Sequence, residues 1–190
     1  REGTPEGRRA IARETFDLLA PLANRLGIWA LKWEMEDLAF RARDPDTYRA
    51  IARQLDEKRA DRENFIAGVM QRLRLELDRA GLKAEVTGRP KHIYSIWKKM
   101  QRKGAGLEAL SDIRAVRILV EEDRDCYTAL GLVHNLWVPI PHEFDDYIAR
   151  PKANSYRSLH TAVIGPEDKV LEVQIRTREM HEHAELGVAA

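Results

Sequence analysis

Between residues 143 and 177 the chain sets carboxylates, cations, aromatic rings and a histidine close together. The run Glu143-Phe144-Asp145-Asp146-Tyr147-Ile148-Ala149-Arg150-Pro151-Lys152 is followed by Tyr156-Arg157-Ser158-Leu159-His160-Thr161 and then by Glu172-Val173-Gln174-Ile175-Arg176-Thr177. These are the groups that hold a purine nucleotide, its phosphates and a divalent metal. Upstream, residues 89 to 103 carry Arg89, Lys91, Lys98, Lys99, Arg102 and Lys103 with no acid among them. A helix opened by Pro90 would put Lys91, Ser95, Lys98 and Arg102 on one face and Ile93, Trp97 and Met100 on another. A buried stripe and a basic stripe near a helix N-terminus suit a polyphosphate. The same pattern also describes a solvated basic face, or a helix lying on an RNA backbone.

Alternation along Lys169 to Arg176 puts Leu171, Val173 and Ile175 on one face of a strand and Glu172, Gln174 and Arg176 on the other. A polar row is costly inside a domain unless it faces a cleft, and ordinary if the strand is an exposed edge. Asp112 opens a second strand. Paired with Glu172 it would suit Mg²⁺, which takes one or two protein oxygens plus substrate phosphates; alone it would cap a turn. Strict alternation puts Arg117 on the face opposite Asp112, unless the strand bulges. Tyr156 is a ring able to stack on a base or simply to pack. His134, His142, His181 and His183 lack the spacing of a zinc site.

The composition narrows the class. The 190 residues allow one large or two small domains with a real core. A net charge of +1 is too balanced for a whole-surface DNA binder. Cys126 is the single cysteine, so no internal disulfide forms, and a reducing, cytoplasmic setting is expected. No apolar run approaches the roughly 20 residues of a membrane helix, and no signal peptide is read. Without an initiator methionine and ending at Ala189-Ala190, the chain reads as a fragment of a longer protein.

The elements that position these residues follow from periodicity. Ala12, Phe16, Leu19, Ala23 and Leu26 mark a helix kinked or split near Ala20 by Pro21 and capped by Gly27. Ile28, Leu31, Met35 and Leu38 mark a second helix. Asp44-Pro45 opens a third, to about Glu57. Ile66, Val69, Leu73 and Leu77 mark a fourth, stopped by Gly81. After Gly81 the period changes. Strands are expected at 84–88, 112–120, 159–164 and 169–176, the last two joined as a hairpin by Gly165-Pro166-Glu167-Asp168. Helices are expected at 125–136 and from Arg178. No regular element is assigned between 137 and 158. The fold class is α+β: a mixed β-sheet flanked by helices (81–190), preceded by an α-helical bundle (1–80).

Together these stretches resemble the synthetase domain of the RelA/SpoT family of (p)ppGpp synthetases, a nucleotidyltransferase-like domain. The resemblance rests on Gly88 to Met100, Asp112 to Arg117, Glu143 to Thr161, Glu172 to Thr177 and Met180 to Gly187. It implies transfer of the β,γ-pyrophosphate of ATP to the 3′-hydroxyl of GDP or GTP, with Mg²⁺. By position, Arg89 and Arg117 are similar to the pair that sandwiches adenine, and Lys91, Ser95 and Lys99 to the ATP phosphate contacts. Asp112 and Glu172 resemble the catalytic, metal-binding carboxylates. Lys152, Asn154, Tyr156, His160 and Gln174 resemble the GDP/GTP contacts, with Tyr156 as the stacking ring. Residues 9 to 80 resemble the helical region ahead of the synthetase in long members. Such members are activated on ribosomes with uncharged tRNA, through domains downstream of this stretch. The competing reading is a nucleotide- or RNA-binding regulatory module without turnover.

One stretch sorts the chain within the family, and one residue departs from it. Bifunctional members resemble Arg-x-Lys-Asp where this chain has Glu143-Phe144-Asp145-Asp146. The acidic form is typical of the RelA-type, synthetase-only branch, and implies weaker direct attraction of phosphate and more reliance on Mg²⁺. Ser155 stands where the family usually has glycine, which costs something only if the site needs a positive φ.

Overall fold

The computed structural model describes residues 4–57, 59–89, 91–104, 106 and 114–187. They form two compact units that interleave along the chain. The first holds residues 1–58, 91–110 and 183–190, the second 59–90 and 111–182. This division differs from a single boundary at residue 80. The long helix after residue 58 supplies the core under the sheet, while the basic helix after residue 90 packs with the N-terminal helices.

The first unit is helical. α1 (Pro5–Glu14) starts from Thr4, whose hydroxyl accepts from Gly7 N at 3.1 Å. A π-helical turn, Thr15–Leu19, links it to α2 (Ala20–Arg25). Pro21 is the cause: it has no N–H and its ring crowds the carbonyl four residues back, so the turn widens. The helix is not split at Ala20, since Glu14, Leu19 and Ala20 all keep right-handed helical φ/ψ; the expected disturbance takes the form of this π-helical turn. Gly27 ends α2 at φ 76°. α3 (Trp29–Arg43) and α4 (Pro45–Glu57) follow, and Asp44 accepts from Thr47 N at 3.1 Å as the expected N-cap of α4. α6 (Ile93–Lys103) closes with Gly104 at φ 58°.

The periodicity located these helices but only part of their buried faces, Ala12 and Ala23 among the expected positions. Leu19, Leu26, Leu31 and Leu38 are exposed, while Ala12, Ala20, Ala23, Ala39 and Phe40 are buried. Small alanines let α1 and α2 approach α3 closely. Phe40 then meets Tyr94 and Trp97 of α6 at ring-centroid distances of 5.5 and 5.0 Å, and Arg43 lies 4.6 Å over Phe16 and 5.6 Å over Trp97.

The second unit is a five-stranded mixed sheet on two helices. Its strands are β1 (Glu85–Gly88), β2 (Ala115–Val120), β3 (Val138–Asp146), β4 (Leu159–Ile164) and β5 (Val170–Thr177), in the order β1-β2-β5-β4-β3. β2 and β5 are parallel and every other pair antiparallel. α5 (Arg59–Arg79) and α7 (Asp123–Leu136) cover one face. Phe65, Val69, Leu73 and Leu77 from α5 and Cys126, Ala129 and Val133 from α7 pack on Val116, Ile118, Val120, Leu159, Val163, Leu171, Val173 and Ile175. Burial pushes the Cys126 thiol up to about 12, so it stays protonated as a small apolar group.

The 165–168 hairpin is as expected. Glu167 and Asp168 take positive φ, the pair of left-handed residues that a tight turn between twisted strands needs. β3 was not expected. Pro139 and Pro141 argue against a strand, but β3 is the sheet edge, where a missing donor is tolerated. The register shifts between Pro139 and Phe144, with His142 at φ 65°. Residues 107–113, Asp112 among them, lie outside the described residues. Among the described residues no helix is long and apolar enough to cross a membrane.

α8 (Arg178–Leu186) runs from the second unit into the first and ends at Gly187, φ 62°. A Cβ there would lie 2.2 Å from Leu26 O and 2.9 Å from Ile28 Cγ1. Gly187→Ala should therefore cost on the order of 2–4 kcal/mol, from strain plus a clash with backbone. Gly81→Ala, also at positive φ but in open space, should cost only about 1 kcal/mol. Urea denaturation of the two variants measures the difference; equal costs would mean that the chain end does not seat against Leu26.

Candidate active site

The sheet register gathers one polar cluster. Ala115 pairs with Glu172 and Arg117 with Gln174 across β2 and β5; Glu172 and Gln174 face Ala162 and His160 across β4, and His160 faces Asp145 across β3. Arg89 joins the first of these rows through its N–H to Ala115 O at 2.8 Å. Paired residues project to the same side of a sheet. Arg89, Arg117, Glu172, Gln174, Arg176 and His160 therefore share the face opposite α5 and α7. The expected split of β5 into apolar and polar rows is present, and its polar row is buried: Gln174 and Arg176 are each 1% exposed.

Each group there is held by its neighbours. Arg89 Nη1 donates to Glu172 Oε1 at 3.0 Å, with both side chains largely but not fully covered. Arg117 Nε donates to Gln174 Oε1 at 2.9 Å. The Gln174 amide nitrogen donates to the Tyr156 hydroxyl oxygen at 2.5 Å, and that hydroxyl lies 2.9 Å from His160 Nε2. Arg176 Nη2 donates to His181 Nδ1 at 2.5 Å. Burial pushes His160 from the usual 6.5 down to about 3, assisted by Arg89, Lys152 and Arg176 and opposed by Glu172. Its imidazole is thus neutral at pH 7. It can accept a hydrogen bond but cannot neutralise a phosphate.

The loop before β4 is a compact turn. Ser155 N donates to Lys152 O at 2.8 Å, and Lys152 N to Tyr156 O at 3.2 Å. That is a three-residue loop ending on a left-handed residue, and Ser155 takes that place at φ 60°. Serine there costs on the order of 1–2 kcal/mol relative to glycine. Asn154 Oδ1 accepts from Tyr156 N at 3.4 Å. Lys152 Nζ sits 4.3 Å from the Tyr147 ring centroid and 5.2 Å from that of Tyr156. Tyr156 is 4% exposed. A ring stacking on a base from this position requires the loop to yield, with Lys152 moving off its face.

The acidic stretch is less free than its charge pattern suggests. Asp146 accepts from Ile148 N and Ala149 N at 3.0 and 2.8 Å and from the Tyr127 hydroxyl. Burial and Asp145 both raise the Tyr147 hydroxyl above its usual range, with Asp145 accepting its hydrogen bond. The two aspartates thus serve as a turn cap and a tyrosine anchor, while Glu143 is exposed on the edge strand.

The phosphate-binding candidates belong to the other unit. Lys91 precedes α6 rather than lying on it, because the helix starts at Ile93; Pro90 is outside the described residues. Ser95, Lys98 and Lys99 are on the helix. Its N-terminus is already occupied by an anion: Asp37 accepts from Tyr94 N at 2.8 Å and Ile93 N at 3.3 Å, and contacts His92 Nδ1 at 3.3 Å. Sequence reading missed Asp37, which lies more than fifty residues upstream of the helix it caps. No local pattern could have signalled it.

The arrangement brings together a carboxylate among guanidinium groups, a neutral imidazole and two tyrosine rings, groups whose chemistry suits pairing with anions and hydrogen bonding to a base. Residues 88–190 match the family model described as "Region found in RelA / SpoT proteins", and the chain belongs to that family. It is 57% identical over 185 residues to a GTP pyrophosphokinase of Photobacterium angustum and 56% identical over 187 to that of Escherichia coli, covering 97% and 98% of this chain. It spans about a quarter of the length of these curated relatives (25% of each). Among solved structures it is similar to a GTP pyrophosphokinase family protein from Streptococcus pneumoniae, with a TM-score of 0.56 and 28% identity over 69% of this chain and 73% of that one. It is also similar to the small alarmone synthetase 1 of Bacillus subtilis bound to its product pppGpp, with a TM-score of 0.53 and 26% identity over 72% of this chain and 78% of that one.

The His160 environment has a pH signature. Between about 3 and 6.5 the unfolded chain carries a proton on this ring that the folded chain does not. Stability from this group is therefore complete above about 6.5 and is lost as the pH falls toward 3. Lowering the pH from 7 to 5 should cost about 2 kcal/mol through His160. His160→Gln should flatten that part of the profile, read from urea midpoints at the two pH values. An equal loss in the variant would place the acid sensitivity elsewhere.

Proposed function

We propose that this chain transfers the β,γ-pyrophosphate of ATP to the 3′-hydroxyl of GDP or GTP, releasing AMP and forming (p)ppGpp. The observation that carries the reading is the register that lines up Arg89, Arg117, Glu172, Gln174 and His160 on one face, with the Tyr156 hydroxyl hydrogen-bonded to Gln174 and His160. The names of its relatives, and the product held by the Bacillus subtilis synthetase, support it.

In this reading Arg89 and Arg117 hold the adenine nucleotide, and Lys91, Ser95 and Lys99 its phosphates. Tyr156, Lys152 and Asn154 hold the guanine nucleotide, with His160 accepting hydrogen bonds beside it. The 3′-oxygen attacks the β-phosphorus, the bond from that phosphorus to the α-phosphate bridging oxygen breaks, and AMP leaves. Glu172 takes the proton of the 3′-hydroxyl, which is otherwise too weak a nucleophile at neutral pH. Its ion pair with Arg89 holds the carboxylate in place beside the adenine-nucleotide side. Cations around the site offset the negative charge of the transferred group.

Glu172, with Asp112, would hold a Mg²⁺ ion, which when bound would add charge neutralisation at the phosphates. A cation held by one or two carboxylates plus phosphate needs no larger cluster, and among the described residues no group of three metal-binding side chains occurs.

Incubation with ATP, GDP and Mg²⁺ should yield equimolar AMP and guanosine tetraphosphate on nucleotide chromatography. Glu172→Gln should lower the rate by at least about a hundredfold with an unchanged circular dichroism spectrum. Retained activity would move the base elsewhere, and calorimetric binding of both nucleotides without product would make the chain a binding module. The acidic stretch also predicts initial rates with GDP at least equal to those with GTP; a preference for GTP in a side-by-side assay would refute it.

A further inference from the structure

Gln174 is almost fully buried between the two ends of the polar cluster. Its carboxamide uses both ends. Arg117 Nε donates to Oε1 at 2.9 Å, while Nε2 faces the Tyr156 oxygen at 2.5 Å and His160 Nε2 at 3.1 Å. A carboxamide can usually be turned over without changing its outline. Here it cannot, because a guanidinium has only N–H groups to offer, so the atom facing Arg117 is the oxygen. The amide N–H then donates to Tyr156, and Tyr156 turns its own proton toward His160 Nε2 at 2.9 Å. With Nε2 accepting, the ring proton of the neutral imidazole sits on Nδ1. The polarity runs one way, from Arg117 through Gln174 and Tyr156 to His160.

We infer that Gln174 is a positioning residue that couples Arg117, on the adenine-nucleotide side, to Tyr156, on the guanine-nucleotide side, and holds His160 Nε2 as an acceptor. The inference rests on the substrate assignment proposed above. It gives Gln174 a different role from the direct nucleotide contact that the family resemblance implies. Its polar atoms already face protein partners, and the planar amide is a rigid link between them. When Arg117 moves to meet a base, the Gln174 oxygen is pulled with it, and the Tyr156 hydroxyl follows. Two sites joined this way bind with a coupling free energy, and each ligand changes the other's affinity by the same factor.

Gln174→Glu tests this without changing the outline of the side chain. The carboxylate still accepts from Arg117 but cannot donate to Tyr156. The Tyr156 proton then turns to the carboxylate and leaves His160 Nε2. Nitrogen NMR of protein labelled with ¹⁵N-histidine should show the wild-type His160 ring protonated at Nδ1 with Nε2 accepting, and should show the Nε2 resonance shifted in the variant. Protonation at Nε2 in the wild type would overturn the inference whatever any variant does. Calorimetry should show GDP affinity changing about fivefold or more when a methylene-bridged ATP analogue and Mg²⁺ are present, and less than about twofold in Gln174→Glu. Wild-type coupling in a variant whose melting curve shows it folded would overturn the inference. Gln174→Leu, which removes both hydrogen bonds, should lose the coupling in the same way. If neither nucleotide binds the wild type, the functional reading itself fails; that outcome is separate, because the histidine tautomer is read without nucleotide.

Discussion

The parallel pairing of β2 with β5 is the constraint on which the second unit depends. It sets Val116, Ile118 and Val120 beside Val173, Ile175 and Thr177, and Ala115, Arg117 and Leu119 beside Glu172, Gln174 and Arg176. The first rows turn toward α5 and α7 and close the core. The second bear the charged and amide groups. A one-residue slip of β5 would exchange its faces, putting Glu172, Gln174 and Arg176 into the core. The apolar rows thus pin the register, and the register assembles the polar cluster. Packing and chemistry are decided by the same pairing.

Burying the polar row is costly, and the cost shapes what the row can be. Desolvated amides, imidazoles and guanidiniums must each find a partner of the right polarity. Arg117 can only donate, so Gln174 presents its oxygen there, and Tyr156 and His160 take the orientations that remain. The neutrality of His160 follows from the same burial, reinforced by three cations near it. The ion pair of Arg89 with Glu172 is not a strong source of stability, because two partly dehydrated charges do little more than offset their own desolvation. Its physical consequence is to fix the Glu172 carboxylate in place on the polar face.

Charge in the sequence is a poor guide to charge in use. Of the acidic stretch at 143–146, Asp146 caps a turn and Asp145 accepts a hydrogen bond from a tyrosine, while Glu143 and Asp145 both lie exposed on the edge strand. The helix dipole of α6 is met by Asp37 rather than left for a ligand. Carboxylates employed in this way stiffen the frame around the site, through hydrogen bonds whose donors would otherwise go unsatisfied.

The helices, their caps, the 165–168 hairpin and the two-faced character of β5 were legible in the sequence, because each rests on contacts only a few residues apart. Pro21, Gly27, Asp44 and Gly81 mark boundaries through backbone chemistry that any fold would respect. The kinds of residue in the site were legible too. The tertiary structure alone decided which of them meet. It made an edge strand of a proline-containing segment, and left Leu19, Leu26, Leu31 and Leu38 exposed while burying Ala20, Ala39 and Phe40. It brought Asp37 to the start of α6, and joined Arg117, Gln174, Tyr156 and His160 into one directed chain. Those outcomes depend on strand order and register, which join residues tens of positions apart, and local periodicity does not encode such pairings.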